Sequence, residues 1–450
     1  MANAKPRCRA PQPWAVLSLV LALLAFESAQ SVTIRVPKDQ PTIQSGLVAA
    51  APGDTVEIAC GDYTEHEIVL KSGVTLRSET GDPTCVTIDA ERLGRVLLCE
   101  NLSDCTIEGL TLIRGIAPPP PFTGPGGAAI HCVDSSIRVA DCVLRDNVAW
   151  THGAFWVTDG SAVIIERCEL RDNTKTNTNI GSGGAGLLVG GGGSTADISN
   201  TTFVGNSSSG GSALACQDAT VFVADCSFVD NVAWGDGEPR LGGGGAVTCS
   251  FFAVIHFLRC TFSGNSGNFG GAAMCKGGAD VVFEQCLFTD NRITGFGLFM
   301  GGGAIYAYEA SPTLEECTIY GNSATDRGAA MFCRDAQPVV SNSILAFNQG
   351  GAAVYCYLNS ATPQLACSDL FGNEYGDWVG TVADQMTKSG NLSEDPLFCS
   401  PGTGDFSIDA SSPCAPSGAE GCGLIGAFDV GCGAITVESR TWSGIKELYR

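Results

Sequence analysis

Residues 260–291 read CTFSGNSGNFGGAAMCKGGADVVFEQCLFTDN, and the fold turns on this stretch. It opens on Cys260 to Asn265 and closes on Cys286 to Asn291, two copies of one motif: Cys, any residue, a large apolar residue, two residues, Asn. Between them stands a second motif, Gly271-Ala272-Ala273-Met274. The first motif recurs at Cys142 to Asn147, Cys168 to Asn173, Cys226 to Asn231 and Cys317 to Asn322. Thr201 and Ser343 replace the cysteine in the copies ending at Asn206 and Asn348, and Cys367 to Asn373 carries one extra residue. The second motif recurs from Gly127, Gly245, Gly303, Gly328 and Gly351. Alternating apolar runs such as Ile137-Arg138-Val139 and Val221-Phe222-Val223 flank both motifs, and such runs are strands, not helices.

The period then sets the architecture. A strand of three to five residues cannot bury its own apolar face. About 25 residues make one coil of three short strands, and stacked coils pair each strand with its equivalents ~4.8 Å above and below. The expected fold is therefore all-β, a right-handed parallel β-helix of roughly 11–13 coils. Asn suits the recurrent corner because it tolerates the left-handed conformation and its amide can bond local backbone. Stacked amides can also bond one another, which predicts an internal ladder of Asn147, Asn173, Asn206, Asn231, Asn265, Asn291, Asn322, Asn348 and Asn373. Glycine and alanine suit the next corner because small residues let the backbone enter a crowded interior. Thr42 to Ala51 has apolar residues at helical spacing with Thr42 as N-cap, which predicts a short helix capping the open first coil.

Composition sets outer limits. The 450 residues include 58 Gly, and charged residues are only 16% of the chain. A net charge of −22 argues against nucleic acid as a partner, because a phosphate backbone demands a basic surface. Lys5, Arg7 and Arg9 precede an apolar run from Trp14 to Phe26, with small residues Ala29 and Ser31 following, the pattern of an export signal. That run is too short to span a bilayer, so no transmembrane segment is expected in the mature chain. The organisation expected is a signal peptide at 1–31, an N-terminal cap with first coils at 32–115, a repeat β-helix at 116–373, a disulfide-rich cap at 374–433 and a tail at 434–450.

Twenty-two cysteines fit an oxidising compartment. In five coils a cysteine after the glycine corner co-occurs with another 10 or 11 residues on, which suggests bonds within coils: Cys132 with Cys142, Cys216 with Cys226, Cys249 with Cys260, Cys275 with Cys286 and Cys356 with Cys367. Cys317 could then pair with Cys333, and the four cysteines at each end (Cys60, Cys85, Cys99, Cys105; Cys399, Cys414, Cys422, Cys432) could close among themselves, leaving Cys168 free. The competing arrangement is a column of buried thiols. With four histidines and no doubled CxxC pair, no metal or cofactor is assigned.

The paired motifs, Phe203 to Asn206, Phe228 to Asn231, Phe262 to Asn265 and Phe288 to Asn291 with Gly244 to Val247 and Gly302 to Ile305, resemble the repeats of chlamydial-type polymorphic outer-membrane proteins. That resemblance implies an adhesin-like β-helix, although nothing after Cys432 is long enough for the barrel in which those adhesins end. Val36-Pro37 through Gln44, Gly53 to Val56, Gly61-Asp62-Tyr63 and Gly73 to Leu76 are similar to the opening segment of the pectin-lyase-like superfamily. Pectate-lyase-like sites of that superfamily need clustered acidic calcium ligands and an Arg-x-Pro-x-x-Arg run, which the chain lacks, and polygalacturonase-like sites carry Asn-Thr-Asp, Asp-Asp, His-Gly and Arg-Ile-Lys runs. Of these the chain has only His152-Gly153, at a position that is Gly-Gly in other coils, so no catalytic residue is assigned.

Long and short repeat intervals alternate, and the extra residues fall after the Asn corner, at 116–125, 174–182, 232–243 and 292–301. All four insertions should leave one edge of the solenoid in alternate coils and form a ridge. Its expected ligand-binding residues are Phe122, Asn177, Asn179, Trp234, Asp236, Glu238, Arg240, Phe296 and Phe299, with Trp150 and His152 in the short corner between the first two loops; Lys175 and Arg292 stand among them. Aromatics beside amides and charges on rigidly held loops suit glycan or surface-protein binding. The function expected is non-catalytic recognition by a secreted or cell-surface protein. A polysaccharide lyase or glycoside hydrolase and a structural envelope protein stand as alternatives, and the oligomeric state is open.

Overall fold

The computed structural model describes residues 31–117, 126–177, 183–211, 213–234, 242–295, 297, 300–357, 361–419 and 421–433. The expected signal peptide up to residue 30 and the expected tail at 434–450 fall outside them, as do Phe122, Asn179, Asp236, Glu238, Arg240, Phe296 and Phe299.

Strands too short to stand alone are held by their copies one coil away. The first sheet pairs thirteen parallel strands from Thr33–Val36 to Gln364–Ala366, the second twelve from Gly61–Tyr63 to Asp369–Phe371, and the third eleven from Ile68–Val69 to Val354–Cys356. The chain visits them in that order in each coil, so the molecule is a parallel β-helix. Three strands per coil were expected, but the central coils have four. Seven two-residue strands, from Ile116–Ala117 to Arg292–Ile293, form a corner sheet between the second and third. They exist because the backbone just beyond each Asn bonds the preceding coil, as where Thr174 N–H donates to Asn147 O at 2.9 Å.

Inside the corner runs the asparagine ladder, with all nine residues buried. Each Nδ2 donates to Oδ1 of the asparagine in the next coil, at 3.0 Å from Asn206 to Asn231, 2.9 Å from Asn231 to Asn265 and 2.9 Å from Asn265 to Asn291, until Asn373, whose Nδ2 donates to Asp377 Oδ1 at 2.7 Å. The same Nδ2 reaches a carbonyl of the coil before, as Asn231 does to Phe203 O at 3.0 Å, and each Oδ1 also takes a backbone N–H, as Asn265 Oδ1 does from Asn231 at 3.0 Å. Asp146, Asp172, Asp230 and Asp290 precede ladder asparagines at φ of 51° to 58°, and Gly205, Gly264, Gly321 and Gly372 take the same slot at 61° to 65°. These aspartates are therefore turn residues, since Asp tolerates that region nearly as Gly does. Beside the ladder Phe203, Phe228, Phe262 and Phe288 stack with centroids 4.6 to 4.9 Å apart. The glycine corner has its own reason: a Cβ on Gly271 would sit 1.9 Å from Gly303 O in the next coil.

The first coil is closed by a helix over Ile43–Ala49, where Thr42 and Ser45 form a capping box and Gly46 packs on Val36 and Val56. The last coil is closed by a 3-10 helix over Gly380–Gln385, with Trp378 and Val382 in the core, and a three-stranded sheet of Phe398–Ser400, Asp405–Asp409 and Val430–Cys432 packs on the outer face of the second sheet, where Phe398 and Phe406 meet Tyr320.

The in-coil disulfides are not formed. Disulfides join Cys60 to Cys85, Cys367 to Cys422 and Cys399 to Cys432, whereas Cys132, Cys142, Cys216, Cys226, Cys249, Cys260, Cys275, Cys286 and Cys356 are thiols, as are Cys168, Cys317, Cys333, Cys99, Cys105 and Cys414. The reason is distance. Cys132 lies in the third sheet and Cys142 at the far end of the Ser136–Ala140 strand of the first sheet; five residues of strand advance ~16 Å, well beyond the ~7 Å a disulfide spans. Cysteines instead face their own kind one coil away: Cys216, Cys249 and Cys275 are register partners, as are Cys333 and Cys356. Burial pushes the thiols of Cys132 and Cys216 up to about 11 and about 12, so they stay protonated. Ser368, not Cys367, takes the place before the last strand of the second sheet, which freed Cys367 to reach the cap.

Replacing Asn231 or Asn265 by Ala should cost ~1–3 kcal/mol each, because the change strands buried amide and carbonyl groups. The pair should be non-additive in chemical denaturation, since the two share a bond. Alkylation of the denatured, unreduced protein should label fifteen cysteines from Cys99 onward and spare the six in disulfides; a single labelled thiol would restore the in-coil pairing.

Candidate functional site

Strands of the third sheet bury one face in the core, so their alternate residues point outward. Leu98, His131, Trp156 and Leu188 occupy one outward register position in four successive coils, and Met274, Tyr306 and Phe332 occupy it further along. Polar residues would normally fill such a column. Here it is apolar and mostly buried, because the insertions leave at the adjoining edge. Their bases, Ile116–Ala117, Thr174–Lys175, Val232–Ala233 and Arg292–Ile293, are every second strand of the corner sheet. Met300, at the end of the fourth insertion, packs with Met274, Tyr306 and Phe332 in a second apolar layer outside the core.

At the N-terminal end of this face lies a cleft of about 420 Å³ lined by Arg95, Leu98, Glu100, His131, Val133, Trp156, Thr158 and Asp159. Its wall is a stack of rings: His131 lies 4.4 Å from Trp156 with planes 5° apart, and His152 lies 4.3 Å from Trp156 at 17°. His152 reaches that place from the glycine corner, at a φ of 58°, with Nδ1 2.9 Å from Thr151 Oγ1. Gly126 permits it, since a Cβ there would come within 2.4 Å of His152 Cβ. Arg95 closes the cleft's edge, its Nε donating to Gly126 O at 3.1 Å and its guanidinium 3.7 Å from Glu67.

The chemically open group is His131. It is 7% exposed, and neither ring nitrogen has a hydrogen-bond partner. Burial, with Arg95 and His152 beside it, pulls its pKa down to about 4, and burial with Lys175 nearby does the same to His152. Both rings are neutral near pH 7, so each has one nitrogen that donates and one that accepts. A hydroxyl, which also donates and accepts, satisfies such a ring where a carboxylate satisfies only half of it.

Of the expected ridge residues, the structure brings His152 into this stack and leaves Trp150 half-buried at the same corner. Trp234 is 38% exposed, with Nε1 donating to Ser207 Oγ at 2.9 Å, in the equivalent corner place three coils on. Asn177 is buried instead of presented: its carbonyl accepts from Ser209 Oγ at 2.7 Å and from Lys175 Nζ at 3.1 Å. Lys175 is likewise fully buried, and burial lowers its pKa to about 8. Arg95, His131 and Trp156 were not foreseen. Their signal was present in Ile130-His131-Cys132 and Phe155-Trp156-Val157, strands with large side chains on both faces, which means both faces are covered.

The first sheet carries a groove of about 400 Å³ lined by Asp104, Thr106, Ser136, Arg138, Ile164 and Asp197 among others. Arg138 there is ion-paired with Glu166. Among the described residues, the group of side chains close enough to share a metal ion is Cys60, Glu79 and Cys85, whose two sulfurs are bonded to each other.

This winding and register define a right-handed parallel β-helix. The chain belongs to the right-handed β-helix family, whose model, described as "Right handed beta helix region", matches residues 97–270 and 240–393. Among curated proteins it is similar to metabotropic glutamate receptor-like protein R of Dictyostelium discoideum, 27% identical over 248 residues that cover 51% of this chain and 14% of that protein. Among solved structures it is similar to pectate lyase Pel9A, at 12% identity, 86% and 91% coverage of the two chains and a TM-score of 0.46. It is similar also to the surface adhesin PfbA of Streptococcus pneumoniae, at 11% identity, 75% and 92% coverage and a TM-score of 0.36.

The depressed histidines make stability depend on pH. Folded pKa values near 4 against ~6.5 unfolded mean that the unfolded chain binds more protons between those limits, so the contribution present above pH 6.5 is lost as pH falls towards 4. Melting temperature should drop across that window, and His131→Phe, which keeps the stacked ring, should flatten the drop.

Proposed function

We propose that the chain is an exported, extracellular β-helix protein that binds glycan without turning it over, through the cleft at the ridge corner where His131, Trp156 and His152 stack. The observation that carries this reading is His131, a buried, neutral ring in the cleft wall whose two nitrogens have no partner. Such a group costs ~1–3 kcal/mol unpaired and gains it back from a ligand that both donates and accepts. Sugar hydroxyls meet that requirement, and the apolar side chains of Leu98, Val133 and Trp156 suit the C–H faces of a sugar ring.

The disulfides support an oxidising compartment, and no described helix is long and apolar enough to cross a membrane. The likeness of the repeats to those of polymorphic outer-membrane proteins supports a surface role. A lyase working through an arginine base in the first-sheet groove would need Arg138 free, and Arg138 is ion-paired with Glu166.

A glycan-array screen paired with reducing-sugar and unsaturated-product assays tests the reading. Binding without product is expected. Trp156→Ala and His131→Leu should each weaken the selected glycan tenfold or more while circular dichroism stays that of the parent, and Trp234→Ala should weaken it less. Product release from a polysaccharide, or unchanged affinity in both cleft variants, would transfer the site elsewhere.

A further inference from the structure

A second cleft, of about 280 Å³, opens on the same outer face of the third sheet, lined by Ser250, Phe251, Lys276, Gly277, Tyr308 and Glu309. It has the marks of a built site. Ser250 is 1% exposed and its hydroxyl has no partner. Phe251 and Phe252 stand at φ of 53° and 58°, 57% and 77% exposed. Bulky residues rarely take that conformation, and a strained backbone that holds aromatic rings in water calls for an explanation in function. Gly278 makes room for the arrangement, because a Cβ there would lie 2.6 Å from the Phe252 ring. Lys276 is buried, its ammonium donating to Gly242 O at 2.9 Å, and Tyr308 is backed by the Arg334 guanidinium 4.9 Å from its ring.

The two clefts are in line. The first centres on the Ile130–Val133 strand and the second on Ala273–Lys276, five strands further along the third sheet. At ~4.8 Å per coil the centres lie roughly 24 Å apart along the solenoid axis. Between them Gly190, Gln217 and Ser250 are register partners in successive coils, and Gly190 adds no side chain to that row.

We propose that one linear polysaccharide lies along the axis and occupies both clefts, with the Ser250, Phe251 and Tyr308 cleft as a distal subsite. This rests on the glycan reading above. Phe251 presents a face for a sugar ring, and the Ser250 hydroxyl meets a sugar hydroxyl. Acids line each cleft beside its cation, Glu100 and Asp159 with Arg95 and Glu309 with Lys276, so the polymer is a neutral one.

The test compares disaccharides with hexasaccharides of cellulose, xylan and mannan by titration calorimetry on the full chain, for the parent and for Ser250→Ala/Phe251→Gly. Glycine relieves the backbone at 251, so this variant folds. The parent should bind one hexasaccharide at least tenfold more tightly than its disaccharide, with little dependence on salt. The variant should lose that advantage and keep the disaccharide affinity of the parent. Equal affinity for short and long chains, or an advantage retained in the variant, overturns the distal subsite and leaves the first cleft standing. Binding of charged glycans alone on the array overturns the neutral polymer, and no glycan binding at all sinks both readings.

Discussion

From Asn147 to Asn373 each coil is held one strand spacing from the next by a repeated set of hydrogen bonds at the asparagine corner, and the other features of this part of the molecule inherit that spacing. The amide of each ladder residue is saturated by the coil before and the coil after, and all of these bonds are buried. A bond of this kind is worth ~1 kcal/mol net when made and more when broken, so the ladder resists any local change of pitch. Constant pitch is what lets Phe203, Phe228, Phe262 and Phe288 stack as neighbours and lets cysteines face cysteines.

The same corner explains where variation is tolerated. Residues before the ladder asparagine need a left-handed backbone, and residues after it form two-residue strands whose only duty is to bond the adjacent coil. Beyond those strands the register is secure, so the chain can lengthen without disturbing the core. Insertions in alternate coils each start from the same edge, beside the outer face of the third sheet. That face then gains a second apolar layer around Met274, Tyr306 and Phe332. A rigid solenoid thus carries its variable, ligand-facing features along a single line, which suits recognition of something long.

Charge and redox chemistry fall into the same division between core and face. The interior holds thiols, of which burial keeps those of Cys132 and Cys216 neutral, while disulfides join the first coils, where Cys60 meets Cys85, and fasten the C-terminal segment. Among the described residues, the buried polar groups left without partners include His131 in one cleft, Ser250 in the other and the Tyr306 hydroxyl on the third-sheet face, with Arg77 Nε on the first sheet. The two clefts each hold one of these groups, which is the physical basis for placing the proposed ligand there.

Much of this was determined by the sequence itself. The spacing of Asn and Gly-Gly-Ala motifs dictates coils, ladder and corners, and Thr42 with Ser45 dictates the capping helix, because each depends on residues near in the chain or on a strict period. The alternation of long and short intervals likewise placed the insertions on one edge. Only the tertiary structure decided which cysteines meet and which side chains build the clefts. Cys132 and Cys142 are ten residues apart yet separated by the length of a strand, whereas Cys216 and Cys249 are thirty-three apart and one coil rise from each other. His131, Trp156 and His152 come together for the same reason: in a solenoid, contact runs across coils, and the number of residues between neighbours depends on insertions whose course the repeat does not specify.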